Sequence, residues 1–205
     1  MKRSFYSRPV LDVARDLIGC VVSHAGSSGV IVETEAYHHT EPACHAYVGV
    51  TNRTRVIFGP PGRAYLYRSY GIHACLNAVC EPEGIGAAVL IRALEPLEGV
   101  ELMRQRRGVV RLEDLCSGPG KLTEALAIGL DLNGTDLITG PIVIASRPRA
   151  WRDVPIVASR RIGITKAVEL PWRFSADGNR FLSRPALSRA ERAEAERVES
   201  PLVPG

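Results

Sequence analysis

The first clear pattern along the chain is helical. Between Ser7 and Gly19, Val10, Ala14, Leu17 and Ile18 fall on one face, and Gly19 marks a stop. The period then changes from helical to two. Cys20–His24 and Val30–Tyr37 are predicted as strands, joined by Ala25-Gly26-Ser27-Ser28-Gly29 as a hairpin loop. Phe58-Gly59-Pro60-Pro61-Gly62 predicts a rigid turn. Ala64–Tyr67 and Ile72–Cys80 follow as strands, and after Glu81-Pro82-Glu83-Gly84 comes an apolar strand over Ile85–Leu94. Strands joined by such short connections make an antiparallel sheet.

Pro96–Arg107 is predicted as a helix. Pro96 and Glu98 suit its start, Arg104, Arg106 and Arg107 its end, and Gly108 its stop. A short helix is expected from Lys121 to about Ile128, and late strands over Ile138–Ser146 and Arg161–Ile164. From Ser183 onward large apolar groups thin out, which predicts a loosely held tail with one helical stretch over 188–198. Mixed helices and an antiparallel sheet define an α+β class, expected as one domain over 1–185 followed by a tail over 186–205.

Composition supports an ordinary globular domain: the chain has 205 residues, 45% hydrophobic and 23% charged. No apolar run approaches the roughly 18 residues that a membrane span needs. The opening Met1-Lys2-Arg3-Ser4-Phe5-Tyr6 lacks the apolar stretch of a signal peptide. The expectation is a soluble, cytoplasmic monomer without membrane contact. Five cysteines, with no C-x-x-C pair, argue against a disulfide framework or zinc ribbon and for buried free thiols.

The charge distribution says more than the net charge of +4. No acidic residue occurs between Glu41 and Glu81, whereas Arg53, Arg55, Arg63 and Arg68 all do. Five of the six tyrosines (Tyr37, Tyr47, Tyr65, Tyr67 and Tyr70) lie in or beside that stretch. Cations interleaved with flat rings suit a nucleic-acid surface. They equally suit a solvated basic face over core tyrosines.

The densest polar cluster is Glu33-Thr34-Glu35-Ala36-Tyr37-His38-His39. On a strand, Glu33, Glu35 and Tyr37 share a face, with about 7 Å between successive side chains. Two carboxylates at that spacing can straddle a water and a glycosidic bond, or simply face solvent on an edge. His38 and His39 point to opposite faces of a strand, so with His45 they make a poor metal set, and neither a metal nor another cofactor is expected. Ser117-Gly118-Pro119-Gly120-Lys121 has the end of a phosphate loop, but Leu115 stands where the first glycine belongs.

Several of these stretches together resemble one family. They are Val32-Glu33-Thr34-Glu35-Ala36-Tyr37, Ala43-Cys44-His45, Phe58-Gly59-Pro60-Pro61-Gly62 and Tyr65-Leu66-Tyr67-Arg68-Ser69-Tyr70-Gly71 with Asn77. Leu90-Ile91-Arg92-Ala93-Leu94-Glu95-Pro96-Leu97-Glu98-Gly99 and Leu115-Cys116-Ser117-Gly118-Pro119-Gly120-Lys121-Leu122 complete the set. In this order, over most of residues 10–180, the sequence is similar to the 3-methyladenine (alkyladenine) DNA glycosylases.

The resemblance implies a curved antiparallel sheet flanked by helices, with a protruding hairpin that inserts into DNA. It implies a repair enzyme that flips a damaged purine out of double-stranded DNA and hydrolyses its N-glycosidic bond, leaving an abasic site. Its place would be the bacterial nucleoid, or the nucleus if the source is eukaryotic. By the resemblance, Glu35 activates water and Arg92 helps to hold it. Tyr37 stacks on one face of the flipped base, with His45 and Tyr67 on the other. Tyr70 fills the vacated stack, and Asn77 disfavours guanine at the pocket floor. Thr51, Arg53, Arg63, Arg68 and Lys121 hold the DNA backbone. Two other classes use some of the same residues: a non-catalytic nucleic-acid binder, through the arginines and tyrosines, and a carbohydrate hydrolase, through Glu33 and Glu35.

Overall fold

The computed structural model describes residues 1–69 and 71–186. Helix α1 (Arg3–Tyr6) leads into α2 (Val10–Leu17), which buries Val10, Val13, Ala14 and Leu17. Eight strands follow: β1 (Val21–His24), β2 (Ser27–His38), β3 (Ala64–Ser69), β4 (His73–Val79), β5 (Ala87–Glu98), β6 (Val143–Ala145), β7 (Ile156–Ser159) and β8 (Arg173–Ala176). Between β5 and β6 lie helices α3 (Val100–Arg107), α4 (Leu112–Leu115) and α5 (Pro119–Ala125). No described helix is long and apolar enough to cross a membrane.

All described pairings are antiparallel, in the order β3-β4-β5-β2-β1-β6. β8 also pairs with β2, at Glu33–Glu35, and β7 pairs with β8. One edge of β2 is therefore shared between β1 and β8, and the sheet curls into a half-barrel.

The two faces of the sheet do different work. Val32 and Ala36 of β2, Ala64 and Leu66 of β3, Leu76 and Ala78 of β4, and Val89 and Ile91 of β5 join the helices in one large core. The alternate positions carry Tyr37, Tyr65, Tyr67, Cys75, Asn77, Ala88, Leu90 and Arg92, which line a cavity on the other face. The period of two along each strand thus separates stability from the site.

The predicted order of the early elements holds, but several bounds change. Ala25-Gly26 alone makes the first hairpin turn, with φ 45° and 75° and His24 paired to Ser27. Ser27, Ser28 and Gly29 belong to β2; both serines are buried. Their small polar side chains resemble a loop only until Ser27 Oγ donates to His24 O and Ser28 Oγ to Glu98.

The helix expected from Pro96 begins at Val100 instead. Pro96 is opposite Gly29 in β5, beside a register shift, where a missing N–H is tolerated. Gly99 (φ 68°) makes the change to helix; a Cβ there would lie 2.3 Å from Gly26 O. The late strands are shorter than expected or misplaced. Only Val143–Ala145 of the Ile138–Ser146 stretch is a strand, and Arg161–Ile164 is a loop between β7 and β8. Ser183 is tied into the interior, and Ala186 is buried. The helical stretch expected over 188–198 and the remainder of the tail lie outside the described residues.

Candidate active site

Paired irregularities in β2 and β5 build the centre. Ile31 pairs with Leu94 and Glu33 with Ala93, which leaves Val32 as an extra residue on β2. Thr34 then pairs with Ile91, which leaves Arg92 as an extra residue on β5. The two shifts cancel, and Arg92 lies between two carboxylates on the same face. Its Nε donates to Glu33 Oε1 at 3.1 Å and its Nη1 to Glu35 Oε2 at 3.1 Å. Burial pulls the Arg92 pKa down, but Glu35 and Glu33 outweigh this and raise it.

The two carboxylates differ in how fully they are occupied. Glu33 accepts from Arg92 Nε, from Arg173 Nε at 2.8 Å, and from Ser183 Oγ and N at 2.8 and 2.6 Å. Glu33 thus takes four donors, two of them guanidinium groups, with three on Oε1 and one on Oε2. Glu35 accepts from Ile162 N at 2.7 Å, Tyr37 Oη at 2.8 Å and Arg92 Nη1. One acceptor position of Glu35 stays open. Glu35 is fully buried, directly behind the cavity wall formed by Tyr37, Arg92 and Ile162, the residues that hold it. Glu33 is tied to two arginines and twice to Ser183, which marks it as a structural anchor and not as one of two carboxylates straddling a glycosidic bond.

The cavity has a volume of about 580 Å³, within the roughly 300–1,000 Å³ of small-molecule sites. Tyr37, His45 and Tyr67 all line it. Burial, and then the Glu35 charge, push the Tyr37 pKa far up, so its hydroxyl stays a donor. The Arg161 guanidinium packs 4.7 Å over the Tyr37 ring, and pairs with Glu41 at 2.7 and 3.0 Å.

His45 meets Tyr67 edge-on, at 4.6 Å and 83°. Its Nε2 faces Arg53 Nη2 at 3.2 Å. Arginine only donates, so the proton is on Nδ1, which donates to Tyr65 Oη at 3.1 Å. Burial and then Arg53 lower the His45 pKa from 6.5 to about 4. The imidazole is therefore neutral at pH 7.

Asn77 is buried, and its Nδ2 donates to Tyr65 O at 3.1 Å and Cys75 O at 3.3 Å. Arg53, Arg68, Arg92 and Arg184 line the cavity, and no carboxylate does among the described residues. Thr51, Arg63 and Lys121 are not on its wall. Thr51 is engaged with Thr54, Arg63 donates to Gly134 O at 3.2 Å, and Lys121 to Ser117 Oγ at 3.3 Å. Tyr70 lies outside the described residues. Its neighbour Gly71 has φ 75° and Ile72 is exposed.

Sequence reasoning missed the supports of this site: Glu41, Arg161, Arg173 and Ser183. Two of these are arginines buried in the fold. Their only local trace is position, Arg161 before an apolar Ile-Gly-Ile and Arg173 between Trp172 and Phe174. Their partners are 120 and 140 residues away, so nothing local announces the pairing.

Comparison with known proteins agrees with this geometry. The family model of methylpurine-DNA glycosylases matches residues 4–180. A Bradyrhizobium diazoefficiens protein named "Putative 3-methyladenine DNA glycosylase" is 56% identical over 185 residues, 90% of this chain and 91% of its own. Proteins with the same name from Nitrosospira multiformis and Methanoculleus marisnigri are 52% and 50% identical. They cover 88% of this chain each, and 92% and 97% of their own lengths. The chain belongs to the methylpurine-DNA glycosylase family.

Proposed function

We propose that the protein is a monofunctional DNA glycosylase that removes alkylated purines, such as 3-methyladenine, from duplex DNA. The observation that carries the reading is the contrast between the two carboxylates. Glu33 takes four donors, two of them arginines, whereas Glu35 takes three, one of them an arginine, and keeps a position open on Oε1. A flipped purine occupies the cavity, with Tyr37 on one face and His45 and Tyr67 on the other. A water is held between Glu35 and the N–H groups of Arg92 that Glu33, Glu35 and Ser183 leave unused. As the bond from C1′ to the purine breaks, its electron pair leaves with the base and neutralises its positive charge. The water oxygen bonds to C1′ and its proton passes to Glu35. Base and abasic site are the products.

The cavity favours a leaving group that is already cationic. His45 is neutral, and its one N–H is committed to Tyr65, so the imidazole supplies no proton to the leaving nitrogen. Asn77, pinned to two carbonyls, cannot yield to the exocyclic amine of guanine. Arg53 and Arg68, on the cavity wall, grip the DNA backbone, and Thr51, Arg63 and Lys121 extend that grip. Tyr70 enters the stack that the base leaves, which offsets part of the few kcal/mol that flipping costs. The proposed form is a monomer acting on chromosomal DNA in the cytoplasm.

The test is Glu35→Gln on a duplex bearing one methylated purine. Binding is expected to persist while base release falls by roughly 10²–10⁴-fold, the range of a general base. Near-parental release by this variant would exclude the assignment, and a parent that binds without releasing base would identify a non-catalytic binder.

A further inference from the structure

The segment after residue 180 lies beyond the family match, yet it is among the most firmly anchored parts of the site. Ser183 donates twice to Glu33. Arg173 donates to the carbonyls of Arg184, Pro185 and Ala186, at 2.7, 3.1 and 3.3 Å. Glu33 and Arg173 are both buried and paired with each other at 2.8 Å. A buried ion pair thus fixes four consecutive residues along the cavity rim.

On this fixed backbone the Arg184 side chain is exposed and lines the cavity. Among the described residues its guanidinium has no hydrogen-bond or ion-pair partner. Arg180, four positions earlier, is by contrast paired with Glu113 at 3.4 Å and packed 5.0 Å from the Phe181 ring. A free guanidinium on an immobile backbone loses little backbone freedom on meeting an anion, and its planar fork matches phosphate. No carboxylate on the cavity wall competes with that anion.

We propose that residues 183–186 form a strap at the cavity rim, and that Arg184 binds a backbone phosphate of the DNA beside the flipped nucleotide. This rests on the glycosylase reading and adds a contact carried by neither the β3–β4 hairpin nor the acid-free stretch. The strap is anchored through Glu33, so this one carboxylate holds Arg92 and the strap together.

The test compares the parent with Arg184→Ala, Arg184→Lys and Arg180→Ala. Binding to a duplex with a single abasic analogue is measured by fluorescence anisotropy over a salt series. Arg184→Ala is expected to weaken binding roughly 2- to 5-fold. The slope of log K against log salt should become shallower by about 0.9, the loss of one phosphate contact. Arg184→Lys should keep the parental slope, as should Arg180→Ala, and all four proteins should melt alike. A parental slope in Arg184→Ala overturns the proposal. So does an equal loss in Arg180→Ala, which would reduce the effect to bulk charge. Release of methylated base by the parent is followed in parallel. If none is released, the glycosylase reading fails, while an Arg184-dependent slope would still establish the phosphate contact.

Discussion

At the scale of single residues, His45 shows how the site sets a charge state by placement. Its imidazole is held between a donor, Arg53, and an acceptor, Tyr65, so only the neutral Nδ1–H form satisfies both. Its pKa falls to about 4 in the fold, against 6.5 ordinarily. Between those values the unfolded chain binds a proton that the folded chain does not. Stability from this group is therefore complete above pH 6.5 and declines as pH falls toward 4. Urea midpoints measured from pH 7 to pH 4.5 should drop in the parent, and drop less in His45→Gln. An equal drop in both would show that His45 titrates normally. The same placement logic separates Glu33 from Glu35: both are buried glutamates, and their donor sets differ.

At the scale of elements, the Ala25-Gly26 turn joins β1 to β2 with both residues at positive φ. That is the signature of a type I′ turn, for which Asn-Gly is the favoured pair. Alanine in the left-handed region is strained, because its Cβ crowds the carbonyl. Ala25 is exposed, so Ala25→Asn should fit and raise stability by about 0.5–1 kcal/mol, read as a higher denaturant midpoint with unchanged slope. No gain would mean that Arg106, which donates to Ala25 O at 2.8 Å, already sets the turn. The bulges at Val32 and Arg92 belong to this scale too. They cancel each other, so alternation is kept across them and Arg92 faces Glu33 and Glu35 on one side of the sheet.

At the scale of the whole molecule, the distribution of amines bears on the reaction. A glycosylase that also cuts the strand needs an amine that forms a Schiff base. The only lysines are Lys2, Lys121 and Lys166, and none lines the cavity. Borohydride added during turnover should trap no protein–DNA adduct, and a covalent band would overturn the monofunctional reading. The cavity wall instead holds four arginines, which stay charged and serve phosphate and carboxylate.

Much of the sheet was legible in the sequence, and so were Tyr37, His45, Arg53, Tyr67, Arg68, Asn77 and Arg92 of the cavity wall. The period of two in β2, β3, β4 and β5 already places Glu35 with Tyr37, Tyr65 with Tyr67, and Asn77 opposite Leu76 and Ala78. Side-chain alternation is a local property of extended backbone, and the family motifs fall on those same strands. The sequence alone could not decide how the two glutamates are held, where an arginine is buried, or that Ser183 and Arg184 line the cavity. Each depends on partners far apart in the chain: Glu33 with Arg173 and Ser183, and Arg161 with Glu41. A buried charge is tolerable only when its partner is present, and that partner is supplied by the tertiary fold.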